Sequence, residues 1–225
     1  KIKKHNSESM TFCLDTTIIK PENNFEIKNA IILLHGYGGD GKDISVLSLN
    51  WKRHLPNTIF ICPNGHERCH INPSGYQWFD LTNEDPKSIL AQSQRAEKKL
   101  SQFIDEVKKE YNIDNDKICL SGFSQGCMMS INLGLTADKE FNCIVGFSGK
   151  IIDPEDLKLR KKVATSTLLI HGDADQVVMP NFLLEAKDFF IRNDIEIETH
   201  LIKGCDHHIP IEASSTALNY ILKKN

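Results

Sequence analysis

Ser124 lies in a run flanked by glycines, Gly122-Phe123-Ser124-Gln125-Gly126. The largely apolar segment 117–120 precedes this run, and the apolar segment 127–135 follows it. A serine at a sharp strand-to-helix turn takes strained backbone angles, and glycines on both sides let the strand and the helix approach each other. The N-terminus of the helix would also direct backbone N–H groups toward a negative charge beside the serine. Ser124 is therefore a candidate nucleophile; an ordinary capping serine in a tight turn is the alternative.

Two later loops carry groups that could activate such a serine. A serine hydroxyl is a poor nucleophile, so it needs a histidine base and an acid that orients the histidine. Asp173 and Asp175 follow one predicted strand, and either could be the orienting acid. His207 and His208 follow the next predicted strand, and either could be the base. Both loops leave the carboxyl ends of strands, the edge where open α/β sheets place their sites. The spacing alone chooses neither between the aspartates nor between the histidines.

A glycine-rich turn, His35-Gly36-Tyr37-Gly38-Gly39-Asp40-Gly41, follows the apolar run 31–34. In an acyl-transfer enzyme such a turn supplies one backbone N–H to an oxyanion hole, and the residue after the nucleophile, Gln125, supplies the other. The turn also fits the dinucleotide-binding pattern G-x-G-x-x-G, which requires an acidic residue about twenty positions later. Because the next predicted strand ends in 60–64 without a carboxylate, we do not expect a dinucleotide site.

The long irregular segment 63–85 contains two further groups of candidate residues. His66, Cys69 and His70 have side chains that bind metals, but no helix would present them on one face and no fourth ligand is obvious. We therefore expect a solvated loop without a metal. Trp78 and Phe79 are either buried core aromatics or an apolar wall beside the scissile bond.

Predicted strands and helices alternate along the chain, as expected for a mostly parallel sheet. Seven apolar, largely β-branched runs predict strands: 11–19, 30–35, 58–62, 117–122, 142–148, 166–171 and 195–202. Apolar residues at helical spacing predict five helices: 42–53, 86–111, 125–135, 180–191 and 210–222. The runs 31–34 and 168–170 do not alternate, so helices should cover both faces of the sheet. We predict an α/β fold in a single domain, 1–225, because no linker or repeat interrupts the chain.

The composition argues against several functional classes. The chain has 225 residues, a formal net charge of −3 and a pI near 6.3, without the basic excess of a nucleic-acid-binding protein. Its seven cysteines are an odd number without a C-x-x-C pair, so we expect free thiols in a reducing cytoplasm rather than disulfides or a zinc site. Residues 1–20 contain no signal-peptide core, and no apolar stretch approaches the ~20 residues that span a bilayer. We expect a cytoplasmic protein that does not insert into membranes.

Together these motifs resemble the α/β-hydrolase carboxylesterases, a family that includes bacterial esterases, lysophospholipase-like enzymes and eukaryotic acyl-protein thioesterases. The likeness extends over nearly the whole chain, through segments 34–38, 78–80, 122–126, 171–178 and 204–207. It implies the α/β-hydrolase fold, with a mostly parallel central sheet of about seven strands flanked by helices on both faces.

The resemblance also implies roles for particular residues. The orienting acid is the second acid of His-Gly-x-x-Asp, which is Asp175, and the base is the histidine three residues after a glycine, which is His207. The backbone donors of the oxyanion hole are Tyr37 and Gln125. Many bacterial members have a glycine before that histidine, whereas this chain has Asp206. The histidine that follows the implied base stays the alternative base.

The implied enzyme is a serine hydrolase that cleaves carboxylic ester or thioester bonds of small or single-acyl-chain substrates through an acyl-enzyme. Trp78 and Phe79 would border the substrate, and neither a metal nor an organic cofactor is needed. Within the family, a lysophospholipase or an acyl-protein thioesterase is the alternative. A noncatalytic binding protein on a hydrolase fold is a more distant alternative. For such a protein we would expect the serine, histidine and acid of the site to be incomplete. The expected partner is a small ester or acyl substrate rather than nucleic acid, and the choice between monomer and homodimer stays open.

Overall fold

The computed structural model describes residues 11–225, which are built around a central seven-stranded sheet. The strands of these residues are β1 (Thr16–Ile19), β2 (Asn29–Leu34), β3 (Thr58–Pro63), β4 (Glu67–Arg68), β5 (Tyr76–Gln77), β6 (Ile118–Phe123), β7 (Cys143–Phe147), β8 (Thr167–Gly172) and β9 (Ile197–Ile202). The sheet order is β1-β3-β2-β6-β7-β8-β9, and β4 and β5 form a separate antiparallel pair. Neighbouring strands of the sheet are parallel except β1, which is antiparallel to β3. The predicted α/β-hydrolase architecture with a mostly parallel sheet is confirmed.

Helices connect the strands and cover both faces of the sheet. They are α1 (Gly41–Ile44), α2 (Val46–Trp51), α3 (Pro86–Tyr111), α4 (Gln125–Thr136), α5 (Pro154–Arg160), α6 (Asn181–Arg192) and α7 (Ile211–Lys224), with single 3₁₀ turns at Glu22–Asn24, Lys52–His54 and Asn115–Lys117. The long helix α3 has both predicted ends. Asp85 caps its N-terminus by accepting a hydrogen bond from the Ser88 N–H, and Asn112 ends it in the left-handed conformation (φ 50°).

Successive residues of each inner strand point to opposite faces of the sheet, where they enter different hydrophobic cores. In β2, Ile32 and Leu34 belong to the core beneath α3 and α4. Ile31 and Leu33 belong to the core beneath α1, α2 and α7. The continuous apolar runs of the sequence are therefore explained by strands that are buried on both faces.

Two predicted elements differ from the structure. The predicted strand 11–19 is wrong in its first half, because β1 begins only at Thr16 and the Cys13 N–H bonds to the Glu106 carboxylate of α3, 2.8 Å away, instead of joining the sheet. The predicted helix 42–53 is wrong as a single helix, because it breaks at Ser45. The Ser45 hydroxyl donates to the Lys42 carbonyl at 2.6 Å, a local bond that competes with helical hydrogen bonding. The other predicted elements agree within two residues at each end.

Helix α5 was not predicted, although Asp153 and Pro154 provide a cap and a first residue typical of a helix start. It is short and buries only Leu157, so its apolar spacing is too sparse to be recognised. The expectation for the N-terminal segment 1–20 falls partly on residues 1–10, which lie outside the described residues. Within residues 11–225, no helix combines the length and the apolar character that crossing a membrane requires.

The topology places two loops side by side at one edge of the sheet. In the sheet, β3 lies on one side of β2 and β6 lies on the other side. The direction in which the chain adds strands to the sheet therefore reverses between β2 and β6. In the register, Leu34 at the end of β2 is paired with Gly122 near the end of β6. The loops after these two strands thus border the crevice where ligands of open α/β sheets bind.

Candidate active site

Ser124 connects the end of β6 to the start of α4 in a strained turn. Its backbone lies at φ 54° and ψ −114°, a conformation that non-glycine residues rarely adopt. A Cβ atom at Gly122 would lie 2.3 Å from the carbonyl of Gly126, and one at Gly126 would lie 1.9 Å from the carbonyl oxygen of Leu34. Only glycines therefore allow β6, α4 and β2 to come this close, and the turn they permit directs Ser124 into the crevice.

A continuous set of hydrogen bonds joins Ser124, His207 and Asp175. The Ser124 Oγ lies 3.0 Å from Nε2 of His207, and His207 Nδ1 lies 2.7 Å from Oδ2 of Asp175. A carboxylate can only accept, so the Nδ1–H of His207 donates to Asp175. In the neutral ring Nε2 then carries the lone pair, and it accepts the hydrogen bond from the serine hydroxyl.

The Asp175 carboxylate is buried and held by several donors. Its Oδ1 accepts hydrogen bonds from the backbone N–H groups of Val177 and Val178, both at 2.9 Å. Burial raises the pKa of Asp175, but the hydrogen bonds from His207, Val178 and Val177 outweigh burial and leave the pKa below its usual value. The carboxylate thus stays charged, as the partner of an imidazolium must. The buried ring of His171 also faces this group, with Nε2 3.4 Å from Oδ2 and 2.8 Å from the Val178 carbonyl.

The other acid and the other histidine of these loops have different partners. Asp173 is exposed and accepts a hydrogen bond from the Gly204 N–H at 2.7 Å. His208 bonds through Nδ1 to the carboxylate of Asp206. The structure therefore brings Asp175 and His207 to Ser124, and it brings neither Asp173 nor His208.

The backbone N–H groups of Tyr37 and Gln125 lie in the two loops that border the crevice. Tyr37 lies three residues after Leu34, and Gln125 lies three residues after Gly122; Leu34 and Gly122 are paired in the sheet. Within residues 11–225, neither N–H donates to a protein acceptor. Both amides are thus available to a negatively charged oxygen near Ser124.

His35 holds the loop that carries Tyr37, a role that sequence reasoning missed. Its Nδ1–H donates to the Gly36 carbonyl at 2.7 Å, and its Nε2 accepts from the Gly65 N–H at 2.8 Å. The ring stacks on Trp78 with centroids 5.0 Å apart. Burial lowers the pKa of His35 to about 4, so the ring is neutral and can both donate and accept. Its position between an apolar strand and a glycine turn was the only signal in the sequence.

The segment 63–85 supports the same loop by main-chain pairing. The Gly38 N–H donates to the Tyr76 carbonyl, and the Tyr76 N–H donates to the Gly39 carbonyl, both at 2.8 Å. A Cβ atom at Gly75 would lie 2.0 Å from the Gly38 carbonyl oxygen, so the two backbones are in direct contact. The segment is therefore a support for the candidate oxyanion loop rather than a free loop.

The buried side chain of Gln125 ties this segment to the nucleophile turn. Its Oε1 accepts from the Trp78 N–H at 2.9 Å, and its Nε2 donates to the Phe79 carbonyl at 2.7 Å. Trp78 itself is fully buried beneath His35 and does not line the cleft at Ser124, so the expectation that it borders the substrate is corrected. Its indole N–H bonds to the His35 carbonyl at 2.9 Å, which makes it a core residue. Phe79 does line the cleft.

A cleft of about 1040 Å³ opens at Ser124 and His207 and has two apolar walls. The α4-side wall packs on the core beneath α3 and α4 and consists of Phe79, Ile89, Met128, Ile152 and Phe182. The α1-side wall packs on the core beneath α1, α2 and α7 and consists of Ile44, Leu47, Phe123 and Ile209. Since these cores cover opposite faces of the sheet, the cleft extends across the sheet edge with Ser124 between its walls.

The three residues considered as metal ligands have separate partners. His70 lies 3.1 Å from the Asp80 carboxylate, and His66 lies 3.5 Å from the Glu67 carboxylate. Cys69 is buried against the loop that contains Gly38. Across residues 11–225, no three His, Cys, Asp or Glu side chains are arranged to hold a metal ion.

Comparisons with known proteins identify one family of enzymes. A sequence model of the phospholipase/carboxylesterase family matches residues 15–225. The chain is 27% identical over 199 residues to acyl-protein thioesterase 1 of Schizosaccharomyces pombe, covering 84% of this chain and 86% of the thioesterase. It is 24% identical over 195 residues to the esterase YpfH of Escherichia coli, covering 85% of this chain and 81% of the esterase. Among solved structures, esterase PE8 superposes with a TM-score of 0.90 at 32% identity, covering 94% of this chain and 99% of PE8.

Proposed function

Because the chain belongs to the phospholipase/carboxylesterase family and is a hydrolase of the carboxylesterase and thioesterase type, we propose that it cleaves ester or thioester bonds of single-acyl-chain substrates through an acyl-enzyme. The observation that carries the proposal is the continuous hydrogen bonding from Asp175 through His207 to Ser124 at the base of an apolar cleft. A noncatalytic binding protein would have no need of a buried carboxylate aligned on the imidazole of a strained serine.

In the first half of the reaction, Ser124 Oγ attacks the substrate carbonyl carbon while His207 Nε2 takes the hydroxyl proton. The charged carboxylate of Asp175 stabilises the imidazolium that results. The carbonyl oxygen becomes an oxyanion, which accepts hydrogen bonds from the N–H groups of Tyr37 and Gln125. His207 then gives its proton to the leaving alcohol or thiol as the bond to the carbonyl carbon breaks, and the acyl group remains on Ser124.

In the second half, water replaces the leaving group. His207 Nε2 takes a proton from the water as its oxygen attacks the acyl-enzyme, and the same two N–H groups hold the second oxyanion. Collapse of this intermediate returns the proton to Ser124 Oγ and releases the carboxylic acid. Every proton moves between named atoms of this chain, the substrate and water.

The position of His207 assigns the two walls of the cleft to the two parts of the substrate. The acid that protonates the leaving group must lie within hydrogen-bond reach of the leaving atom. The His207 ring packs on Phe123, with centroids 4.8 Å apart, so it lies against the α1-side wall. The leaving group therefore extends along the α1-side wall, and the acyl chain extends along the α4-side wall beside Phe79 and Met128.

An acyl-protein thioesterase or lysophospholipase activity is a narrower form of this proposal. It is favoured by the apolar side chains of the α4-side wall, which suit a hydrocarbon chain, and by the thioesterase names of several relatives. A single catalytic domain and a cytoplasmic location remain predictions from the sequence.

The proposed function is tested with p-nitrophenyl esters of increasing acyl length and a fluorophosphonate probe. Ser124→Ala should lower kcat/KM by at least about 10³-fold and abolish labelling, since the acyl-enzyme can no longer form. Ser101→Ala, on the exposed side of α3, is the matched control and should behave as the unchanged protein. For the unchanged protein, kcat/KM should rise by up to about fourfold for each methylene added to the acyl chain, because burial of one CH₂ group contributes about 0.8 kcal/mol.

Two results would overturn the proposal. Hydrolysis at nearly full rate by the Ser124→Ala variant would remove the acyl-enzyme mechanism. A maximum at acetyl esters, with a decline for longer chains, would remove the assignment of a hydrocarbon chain to the α4-side wall.

A further inference from the structure

His208 lies on the leaving-group side of the cleft and has no part in the proposed acyl transfer. It lines the cleft together with Ile209 of the α1-side wall, one residue after His207. Its Nδ1 bonds to the carboxylate of Asp206, and its backbone N–H donates to the Asp206 carbonyl at 3.0 Å. The Asp206 side chain thereby orients the ring, and its carbonyl holds the backbone of His208.

The orientation leaves one ring nitrogen of His208 for a bound molecule. Because Asp206 can only accept, Nδ1–H of His208 is the donor in that bond. In the neutral ring Nε2 is then an acceptor, and it has no protein partner within residues 11–225. The side chain of His208 is 56% exposed, so a leaving group in the cleft can reach it.

The two walls of the cleft differ in basic side chains. Lys150 is the only lysine or arginine among the described residues that line the cleft, and its ammonium lies 4.6 Å above the ring of Phe182 on the α4-side wall. The lining also contains Glu84, just before α3, and Asp153, next to Ile152, so the cleft has acidic residues beyond the α1-side wall as well. On the α1-side wall the lining contains Asp43, and His208 adds the carboxylate of Asp206 behind it. A leaving group on this side therefore meets carboxylates and an acceptor nitrogen, without a basic side chain.

We propose that His208, oriented by Asp206, is a specificity-determining residue that binds the leaving group and selects leaving groups with a cationic hydrogen-bond donor. This inference rests on the proposed function, because it requires the leaving group to lie along the α1-side wall. The Nε2 atom accepts a hydrogen bond from the leaving group, and the carboxylates of Asp206 and Asp43 attract its positive charge. An anionic leaving group is repelled by the same carboxylates.

The probes are three N-acetyl dipeptide amides, each with S-octanoyl cysteine followed by arginine, glutamine or glutamate. They share the acyl chain and the leaving thiol, so their kcat/KM values differ through the second residue. For the unchanged protein, kcat/KM should decrease from the arginine to the glutamine to the glutamate peptide, by about two- to fivefold per step, the range of an exposed ion pair. The ratio of kcat/KM between the arginine and glutamate peptides should decrease at high salt, because salt screens exposed charges.

Two variants test whether Asp206 and His208 recognise the leaving group or serve only the structure of the site. Asp206→Asn should reduce the arginine-to-glutamate ratio about two- to fivefold, whereas Asp105→Asn, an equal charge change on the exposed side of α3, should leave the ratio unchanged. His208→Phe should lower kcat/KM for the arginine and glutamine peptides more than for p-nitrophenyl octanoate, because the p-nitrophenyl leaving group has no donor for Nε2 of His208. A merely structural role of His208 would lower all of them alike.

Three results overturn the inference. It is wrong if Asp206→Asn keeps the full ratio, or if His208→Phe impairs the peptides and p-nitrophenyl octanoate equally. Both outcomes leave the proposed function intact, because the unchanged protein still hydrolyses its substrates. Failure of the unchanged protein to hydrolyse any of the four compounds would overturn the proposed function and this inference together.

Discussion

Lowering the pH from 7 to 4 should destabilise the fold through His35. In the folded protein this ring is buried, and burial lowers its pKa from 6.5 to about 4. In the unfolded chain the ring regains the ordinary pKa, so between pH 6.5 and 4 the unfolded state binds a proton that the folded state does not. The stabilisation by neutral His35 is therefore complete above pH 6.5 and is lost as the pH falls toward 4.

The size of the effect follows from the difference between the two pKa values. Each pKa unit corresponds to 1.36 kcal/mol, so a difference of about 2.5 units corresponds to about 3 kcal/mol. The main structural cause is burial of the ring, whereas the bond to the Gly36 carbonyl raises the pKa and so opposes it. A protonated ring has two donors and no acceptor, so it would turn an N–H toward the Gly65 N–H, 2.8 Å away, and lose the stabilising bond.

The assay is urea unfolding between pH 4 and 7, followed by tryptophan fluorescence, since Trp78 stacks on the His35 ring. Wild-type protein should lose about 3 kcal/mol of unfolding free energy over this range, with a slope approaching 1.4 kcal/mol per pH unit. His35→Phe keeps an aromatic ring beside Trp78 and should be less stable at pH 7 but much less dependent on pH. Burial also lowers the pKa of His66, so His66→Gln is the matched control that separates the two contributions. An unchanged slope in His35→Phe would refute the reasoning.

Two further substitutions test the parts of the site. Asp175→Asn should turn its amide group toward His207, force the wrong ring tautomer and lower kcat for ester hydrolysis by about three to four orders of magnitude. Asp173→Asn is the control and should have little effect on kcat. Comparable losses of kcat in the two variants would contradict the assignment of Asp175. Gln125→Met removes the buried bonds to Trp78 and Phe79 and should lower the free energy of unfolding by roughly 2–4 kcal/mol in urea. Gln92→Met also loses two bonds, one from the Asp80 N–H and one to the Ser88 hydroxyl, but Gln92 is only half-buried and the variant should cost less. An equal cost would contradict the role of Gln125.

Much of the fold could be predicted because its elements are strongly patterned. The run 31–34 is apolar throughout since β2 is buried on both faces, and α3 carries its own cap at Asp85. The errors arose where local bonds compete with the pattern. The Ser45 hydroxyl interrupts the helix after α1, and Cys13 bonds to α3 rather than to a strand. Neither competing partner can be recognised from residue types alone.

The sequence by itself determined the strained turn at Ser124, because the glycines two residues before and after it permit the close approach of β6, α4 and β2 that this turn requires. It could not decide between Asp173 and Asp175 or between His207 and His208, since residues one or two positions apart in a loop differ too little in their spacing from Ser124. The tertiary structure decides by direction: the loop backbone turns His207 toward Ser124 and the neighbouring His208 toward Asp206. Contacts between residues far apart in sequence, such as those of the Gln125 side chain with the segment 63–85, exist only after the sheet has brought the loops together.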